Sequence, residues 1–467
     1  MLLAASLASL AIVTQDQAVL RAAPRDSAQQ QVTLWQGDSL EVRGERLGYL
    51  QVYDHRRERA GYVKASQVRS TDLKPVEANE LMAVVRFLRD TPGAEALGVA
   101  YSAAYIKAAP AGQIGAESFD ALGTFADRLA QRASRGKASD PTLAAHLEVV
   151  ASYGVQMKSV ERDGKVQLCY EGDAFRRVLA LPATEEQKAR AALALTRHDC
   201  VDPNLRPMER YQLDNWRAEV LNKVDTGKLP DYLQNRIQMR RAGVLASLAF
   251  QRARRGEPAQ PQGEGAIAAL AAVNREGLPD EDLAVYTDAA VRVGASRWAA
   301  LPAVSPAGKL GIATVAGEPG ETCILLTDTQ HPANNPLARR CTYGQVWVAS
   351  ASSNAQGTQL ALAVQPLDTW RELWLFRKQA DGWTVDVIPP ATNSPELGYL
   401  EFAGWVPGDK QLLTAREAKV EGRYKRTFEV IQLDTLAVQN KADKPESLSV
   451  FYKWQAASWK GGTVSLR

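Results

Sequence analysis

The spacing of apolar residues changes twice along this chain, and the changes divide it into three regions. Between residues 18 and 68, short alternating runs such as Leu40-Glu41-Val42 and Leu50-Gln51-Val52 are separated by glycine, aspartate and charged turns. Strict alternation of apolar and polar residues is typical of strands with one buried face. We therefore predict a small all-β barrel over residues 12–72.

From residue 76 to 302 the apolar residues recur every three or four positions. Leu81, Val84, Val85 and Leu88 mark one helical face, and similar segments follow as far as residue 300. One of them is predicted to start at Asp140-Pro141, and a break is predicted over residues 256–265. A period of about 3.6 residues is typical of amphipathic helices. No fixed repeat of 34 or 40 residues is present. The region predicts an irregular or solenoid-like all-α domain, interrupted by a short hairpin near residues 157–170.

Residues 303–467 return to short apolar runs that are typical of strands. Glycine-containing turns such as Asp381-Gly382 and Pro407-Gly408-Asp409 separate these runs. The pattern predicts an antiparallel β domain, and the whole chain is therefore predicted to be a multidomain α+β protein. Most of the tryptophans of this region are expected in its core and the rest in an exposed contact patch: Trp347, Trp370, Trp374, Trp383, Trp405, Trp454 and Trp459.

Composition narrows the possible partners and the compartment. The net charge of +3 over 467 residues gives no argument for binding nucleic acid. The apolar run before Thr14 resembles the end of a signal peptide, with Ser9-Leu10-Ala11 as a small-residue cleavage site. The first basic residue of the chain is Arg21, so the run lacks the positively charged start of a signal peptide. The alternatives are a start codon assigned too far downstream, or an apolar run that forms a strand or core segment. The run is too short for a transmembrane span.

We accordingly expect residues 1–11 to be a signal-peptide remnant and the protein to be periplasmic or secreted. The four cysteines support this expectation, because they fall as two local pairs, 169–200 and 323–341. An even number of cysteines in an exported chain predicts disulfides. Free buried thiols are the alternative, and zinc is disfavoured because no C-x-x-C spacing occurs. The predicted disulfide residues are Cys169, Cys200, Cys323 and Cys341.

No constellation in the sequence indicates catalysis. The chain has four histidines and contains no H-E-x-x-H, P-loop, G-x-G-x-x-G or G-x-S-x-G motif. Scattered carboxylates such as Asp173 and Glu185 fit helix starts rather than acid–base pairs. We predict no catalytic residue, no metal ligand and no cofactor, and the sequence does not establish an enzyme.

The first region resembles a bacterial SH3 (SH3b) domain in the order of its motifs. These are Leu20-Arg21 with Pro24, then Gly37-Asp38, Gly48-Tyr49 and Gly61-Tyr62-Val63, with tyrosine where the family usually has tryptophan. The resemblance implies binding rather than catalysis, through aromatic residues that line a shallow groove. The charged loop 54–59 could add contacts. The candidate groove residues are Trp35, Tyr49, Tyr53 and Tyr62.

The last region resembles the blades of TolB-like or WD40-like β-propellers, because strand, tight turn and strand recur in the same order. Two units and a partial third are recognisable over about 100 residues, whereas a closed propeller usually needs about four or more. The resemblance implies an incomplete propeller, or one that another molecule completes.

Together these features favour a non-enzymatic binding or scaffold protein of the bacterial cell envelope. Its expected partner is a protein or a peptidoglycan peptide, bound by the SH3b-like region. One alternative is a cell-wall hydrolase that uses this region for targeting. The other is a subunit of a larger envelope assembly.

Overall fold

A computed structural model describes residues 9–136, 140–162, 164–392 and 396–463. The chain forms two compact units, one made of Met1–Leu205 with Lys223–Lys228 and the other of Arg206–Asn222 with Leu229–Arg467. The predicted multidomain α+β order is confirmed: an antiparallel sheet occupies the N-terminal region predicted to be a barrel, and a helical middle region and a C-terminal region of strands follow. The boundary between the units lies within the region predicted to be helical.

The first unit begins with seven antiparallel strands. They are β1 (Leu10–Val13), β2 (Ala18–Arg21), β3 (Gln30–Leu34), β4 (Ser39–Arg46), β5 (Tyr49–Asp54), β6 (Arg59–Lys64) and β7 (Val68–Thr71). Their order, β3-β2-β6-β5-β4-β1-β7, leaves β3 and β7 as edges. Leu10 and Ala11, from the predicted cleavage site, belong to β1, which pairs with β4 and β7. Residues 1–8 of the predicted signal peptide lie outside the described residues.

Helices and one hairpin follow the sheet in the same unit. Their bounds are α1 (Ala78–Arg89), α2 (Glu95–Ala108), α3 (Ala116–Arg135), α4 (Pro141–Ser152), β8 (Met157–Arg162), β9 (Lys165–Tyr170), α5 (Asp173–Ala180) and α6 (Glu185–Leu195). Asp140 starts α4, because its carboxylate accepts hydrogen bonds from the Thr142 and Leu143 amides. Ile12 and Trp35 of the sheet region pack into the apolar core that α1–α4 form, whereas the sheet has a second apolar core of its own around Leu20, Leu40 and Val52.

Four long helices open the second unit: α7 (Pro207–Asn222), α8 (Asp231–Arg254), α9 (Gln260–Ala271) and α10 (Asp280–Ser296). The sequence predicted an irregular break over residues 256–265, and this is wrong from Gln260 onward. Pro261 is tolerated because the first turn of a helix needs no amide donor. Gly263 is needed for close packing, since a Cβ there would lie 2.6 Å from the Ala300 amide nitrogen.

The strands of the second unit form two sheets. Their bounds are β10 (Gly311–Ala316), β11 (Thr322–Thr327), β12 (Ala338–Thr342), β13 (Gln345–Ser353), β14 (Gln359–Leu367), β15 (Trp370–Gln379), β16 (Gly382–Ile388), β17 (Leu397–Trp405), β18 (Gln411–Val420), β19 (Arg423–Gln432) and β20 (Val438–Ala442). Strands β10–β12 form one sheet. The other consists of two antiparallel meanders, β13–β16 and β17–β20, joined by a short parallel pairing of β15 with β17. The helices α11 (Ser449–Trp454) and α12 (Ala457–Thr463) follow.

The tryptophans of this unit are mostly internal, as expected. Trp347, Trp370, Trp374 and Trp459 are buried, and Trp383 and Trp405 are partly buried. Trp454 is the exposed one among these seven, with 38% of its surface accessible. Large aromatic side chains stabilise a core by the apolar area they remove from water.

Candidate binding face of the N-terminal sheet

Tyr53 and Tyr62, two of the four predicted groove residues, lie on one face of the N-terminal sheet. Tyr53 is in β5 and Tyr62 in β6, and Gln51 of β5 is directly opposite Tyr62. Side chains two positions apart in a strand share a face, so Gln51, Tyr53 and Tyr62 point to the same side. Leu50 and Val52, which alternate with them, are buried. The two tyrosines therefore occupy the outer face of the sheet, where both are partly exposed.

Tyr49 shares this face by its position in β5, but it is buried. Its hydroxyl donates a hydrogen bond of 2.7 Å to Asp26 Oδ1, and Lys64 Nζ lies 2.7 Å from the same oxygen. The hydrogen bond to this carboxylate raises the pKa of Tyr49. Tyr49 thus contributes to packing and holds the segment after β2 against the strand, and its hydroxyl is already engaged.

Trp35 lies apart from the three tyrosines. It follows β3, its amide donates to Asp38 Oδ2 at 3.0 Å, and its ring packs against the helical core of the unit. Of the four predicted groove residues, the structure brings Tyr49, Tyr53 and Tyr62 to one face and places Trp35 against the helices.

Charged side chains surround Tyr53. The guanidinium carbon of Arg43 lies 4.3 Å from the centre of the Tyr53 ring, and the His55 ring meets it edge-on at 4.9 Å. Glu41 is opposite Tyr53 in the register of β4 and β5, accepts a hydrogen bond from Arg43 Nε at 3.2 Å, and lies 2.6 Å from His55 Nε2. The hydrogen bonds from Arg43 and His55 hold the pKa of Glu41 below its usual value. We call Glu41, Arg43, Tyr53 and His55 the Tyr53 cluster.

A pocket of about 490 Å³ adjoins the Tyr53 cluster, because Glu41 and His55 also line it. Its other lining residues are Ser9, Leu10, Asp38, Ser39, Asp54, Arg56 and Ser152. This volume lies within the range of about 300–1,000 Å³ that small-molecule sites occupy. The outer face and the pocket therefore form one continuous polar surface.

The two buried carboxylates of this pocket are already paired. Arg57 donates to Asp54 Oδ2 at 2.7 Å and to Asp38 Oδ2 at 3.2 Å, and Arg56 lies 3.2 Å from Asp38 Oδ1. Burial lowers the pKa of Arg57, but the hydrogen bond and charge of Asp54 and Asp38 outweigh burial and raise it overall. The loop 54–59 is thus held inward by its two arginines, and this fixes the position of the exposed His55.

A chain of polar residues, of which His146 and Glu95 are buried, fixes the sheet region to the helices of the same unit. His146 Nε2 lies 2.7 Å from Asp16 Oδ1, and His146 Nδ1 lies 3.1 Å from Arg132 Nη2. Arginine only donates, so Nδ1 is the acceptor and the hydrogen of this neutral imidazole is on Nε2. Arg132 continues the chain to the buried Glu95, at 2.5 Å. His146 was expected to be semi-buried on a helix, but no local pattern indicates a partner 130 residues away.

Both predicted disulfides are confirmed. Cys169 and Cys200 have their sulfurs 2.10 Å apart, and Cys323 and Cys341 have theirs 2.02 Å apart. Glu321 lies near the second pair, and these three side chains have the spacing of a metal site. The two sulfurs are bonded to each other, however, and a thiolate is the form of cysteine that binds a metal.

Comparison with known proteins finds no match to this chain among protein-family models, curated proteins or solved structures. In the part of the chain that the structure describes, no helix is both long and apolar enough to cross a membrane.

Proposed function

We propose that this protein is a non-enzymatic binding protein of the bacterial cell envelope, and that its SH3b-like region binds peptidoglycan peptides. The observation that carries the proposal is the Tyr53 cluster, in which an aromatic ring lies beside a paired cation and anion on an open sheet face. Tyr62 extends the same face by one strand. The order of motifs over residues 18–68, which resembles an SH3b domain, supports the assignment.

The chemistry of the Tyr53 cluster suits a peptide that carries both charges. Arg43 offers a guanidinium to a ligand carboxylate, and the side chain is 45% exposed. Glu41 is bound to Arg43 and His55, and its negative charge would attract a ligand amine to the same place. The faces of Tyr53 and Tyr62 offer contact area for apolar groups. Short peptides of the cell wall supply all three kinds of group. The two disulfides support an oxidising compartment such as the periplasm.

The alternatives have weaker support. A hydrolase needs a free acid or base beside its substrate. In the adjoining pocket, Asp38 and Asp54 are bound by arginines, and Glu41 is bound to Arg43 and His55. The alternative of an assembly subunit rests on the resemblance of the second unit to propeller blades, and no observation identifies a partner among the described residues.

The proposal is tested by co-sedimentation of the full chain with purified peptidoglycan. We expect the wild type to sediment, and both Tyr53→Ala and Arg43→Ala to lower the association constant about fivefold, which corresponds to about 1 kcal/mol. Added salt should weaken binding further, since Arg43 acts through its charge. Tyr452→Ala is the matched control, because Tyr452 is an exposed tyrosine of α11 in the other unit. Failure of the wild type to sediment, or equal binding by wild type and Tyr53→Ala, would overturn the proposal.

A further inference from the structure

The second unit contains a cavity of about 270 Å³ between α10, strands β17–β19 and the segment that follows β20. Tyr399, Phe428 and Trp459 form its aromatic walls, and Glu401 and Arg297 lie at its inner end. Arg426 and Lys444 also line it and are exposed, so the cavity opens to solvent on that side. Its volume is close to the lower end of the range for small-molecule sites, about 300 Å³.

The inner end carries more positive charge than negative. Glu401 is buried; its Oε1 accepts a hydrogen bond from Arg297 Nε at 2.5 Å, and its Oε2 accepts none from the described residues. Arg371 does not line the cavity itself but is fully buried behind its wall, with Nη2 3.4 Å from Glu401 Oε2 and its guanidinium carbon 5.1 Å from the centre of the Tyr399 ring. None of its three guanidinium nitrogens makes a hydrogen bond in the described structure. One carboxylate thus faces two guanidiniums. Burial lowers the pKa of Arg371, as expected for a cation that is incompletely compensated.

An unused donor lies in the aromatic wall of the same cavity. Trp459 is 3% exposed, and its Nε1 has no acceptor among the described residues. Edge-on contacts to Phe451 at 5.4 Å and Phe428 at 6.1 Å hold the ring in place. Because Trp459 lines the cavity and its ring is held by these contacts, a molecule bound in the cavity would supply an acceptor for its N–H.

Arg416 shows what a satisfied residue in this wall looks like. It donates to both oxygens of Glu429, at 2.8 and 3.1 Å, and to the carbonyls of Pro389 and Pro390. These hydrogen bonds connect the residues of the wall, and Arg416 needs no ligand to satisfy its donors. Arg371, Glu401 Oε2 and Trp459 Nε1, in contrast, lack hydrogen-bond partners among the described residues, so they are the groups for which a ligand could be a partner.

We propose that this cavity binds a small molecule that carries both a carboxylate and an N–H donor, of the class of amino acids and short peptides. The ligand carboxylate accepts from Trp459 Nε1 and offsets the excess positive charge at Arg297 and Arg371. Its N–H group donates to Glu401 Oε2, and its apolar part lies between Tyr399 and Phe428. Water alone could satisfy the hydrogen bonds, but it would leave the excess charge uncompensated.

Calorimetric titration of the full chain tests this site with a panel of free amino acids and dipeptides, each also supplied with its carboxylate amidated or its amine acetylated. We expect at least one free compound to bind with a dissociation constant between about 1 μM and 1 mM. Its amidated form should bind at least about tenfold more weakly, because it lacks the charge that complements the two arginines.

Trp459→Phe removes the N–H and keeps the aromatic packing, so it should weaken binding about tenfold while leaving the melting temperature nearly unchanged. Trp454→Phe is the matched control, since Trp454 is exposed and does not line the cavity. Glu401→Gln should also weaken binding, but it leaves two buried arginines without a counter-charge and requires a parallel stability measurement. Tyr53→Ala should leave binding here unchanged, which separates this site from the peptidoglycan proposal.

Three results would overturn the proposal. They are the absence of binding by every member of the panel, equal binding of free and amidated compounds, and equal affinity of Trp459→Phe and Trp454→Phe for a compound that binds the wild type.

Discussion

His146 Nε2 and Asp16 Oδ1 lie 2.7 Å apart, although 130 residues separate the two side chains in the sequence. Asp16 belongs to the turn after β1, and His146 belongs to α4. The same carboxylate accepts hydrogen bonds from the amide and the side chain of Gln36. A single aspartate therefore links two turns of the N-terminal sheet to a helix, and the orientation of the sheet in its unit depends on this polar contact as well as on apolar packing.

We predict that the stabilising contribution of Asp16 to the first unit is lost at acidic pH. Burial raises the pKa of Asp16, but hydrogen bonds from His146 and Gln36 outweigh it and lower the pKa below the ordinary 3.8. A carboxyl with a depressed folded pKa stabilises the fold above its unfolded pKa, and the contribution disappears as the pH falls through the folded value. Asp16→Asn should thus lower the free energy of unfolding at neutral pH, and the difference from wild type should shrink below pH 3.8. Urea titrations of both proteins over this range measure it, and a difference that stays constant with pH would contradict the explanation.

We predict that two glycines of the N-terminal sheet respond very differently to alanine. Both have positive φ, +86° at Gly37 and +74° at Gly48. A Cβ at Gly37 would lie 2.6 Å from the Ala96 carbonyl oxygen of α2, whereas nothing lies within 4 Å at Gly48. Gly48→Ala should cost about 1 kcal/mol from backbone strain alone, and Gly37→Ala about 3 kcal/mol or more. Chemical unfolding of the two variants provides the comparison, and similar losses would show that the sheet does not approach α2 so closely.

The Cys169–Cys200 bond should contribute strongly to the first unit. It spans 31 residues and encloses α5 and α6, so the double change Cys169→Ala/Cys200→Ala should cost about 3–4 kcal/mol of unfolding free energy. Loss of the Cys323–Cys341 bond, which spans 18 residues, should cost about 0.5 kcal/mol less. Alkylation followed by mass measurement should label no cysteine in the native protein and all four after reduction. Any labelling without reductant would contradict the pairing.

The buried Asp214 should be among the most sensitive positions of the second unit. Its carboxylate accepts from Arg210, Arg217, Ser247 and Gln251, at distances between 2.6 and 2.8 Å. Asp214→Asn removes the charge that compensates Arg217, which is 1% exposed, and should cost about 3–5 kcal/mol. Asp381→Asn, at an exposed turn of the same unit, makes the same chemical change and should cost less than about 0.5 kcal/mol. Comparable losses at the two positions in thermal unfolding would rule out a structural role for the buried charge.

The parts of the fold that local sequence determines were predictable. Alternation in β5, the 3.6 spacing in α1 and the aspartate that starts α4 each act over a few residues, and these elements formed where they were predicted. The cysteine pairs were predictable because each closes a short local loop. The first turns of α9, residues 260–265, were missed, because its glycines permit close helix packing, a requirement that lies in the neighbouring segment and not in the helix itself.

Contacts between distant residues were not predictable from the pattern. Trp35 lies just before the turn at residues 36–37, as expected of a groove aromatic, but the helical core beside it depends on residues of α1–α4. Arg43 and Tyr53 meet only because β4 and β5 pair in one particular register. Arg371 and Glu401 approach each other through the parallel pairing of β15 with β17, a connection that neither strand indicates alone.

Segments of the two compact units alternate along the sequence, and this affects the order in which they can fold during translation. α7 belongs to the second unit, yet residues 223–228, which come after it, belong to the first. Arg210 of α7 binds Asp368, which leaves the ribosome 158 residues later. At translation rates of about 5–20 residues per second this delay is about 8–32 seconds. All residues of the first unit are available once residue 228 has emerged. The partners of α7 emerge only after most of the remaining chain has been translated, and until then the polar groups of α7 that will later be buried stay in water.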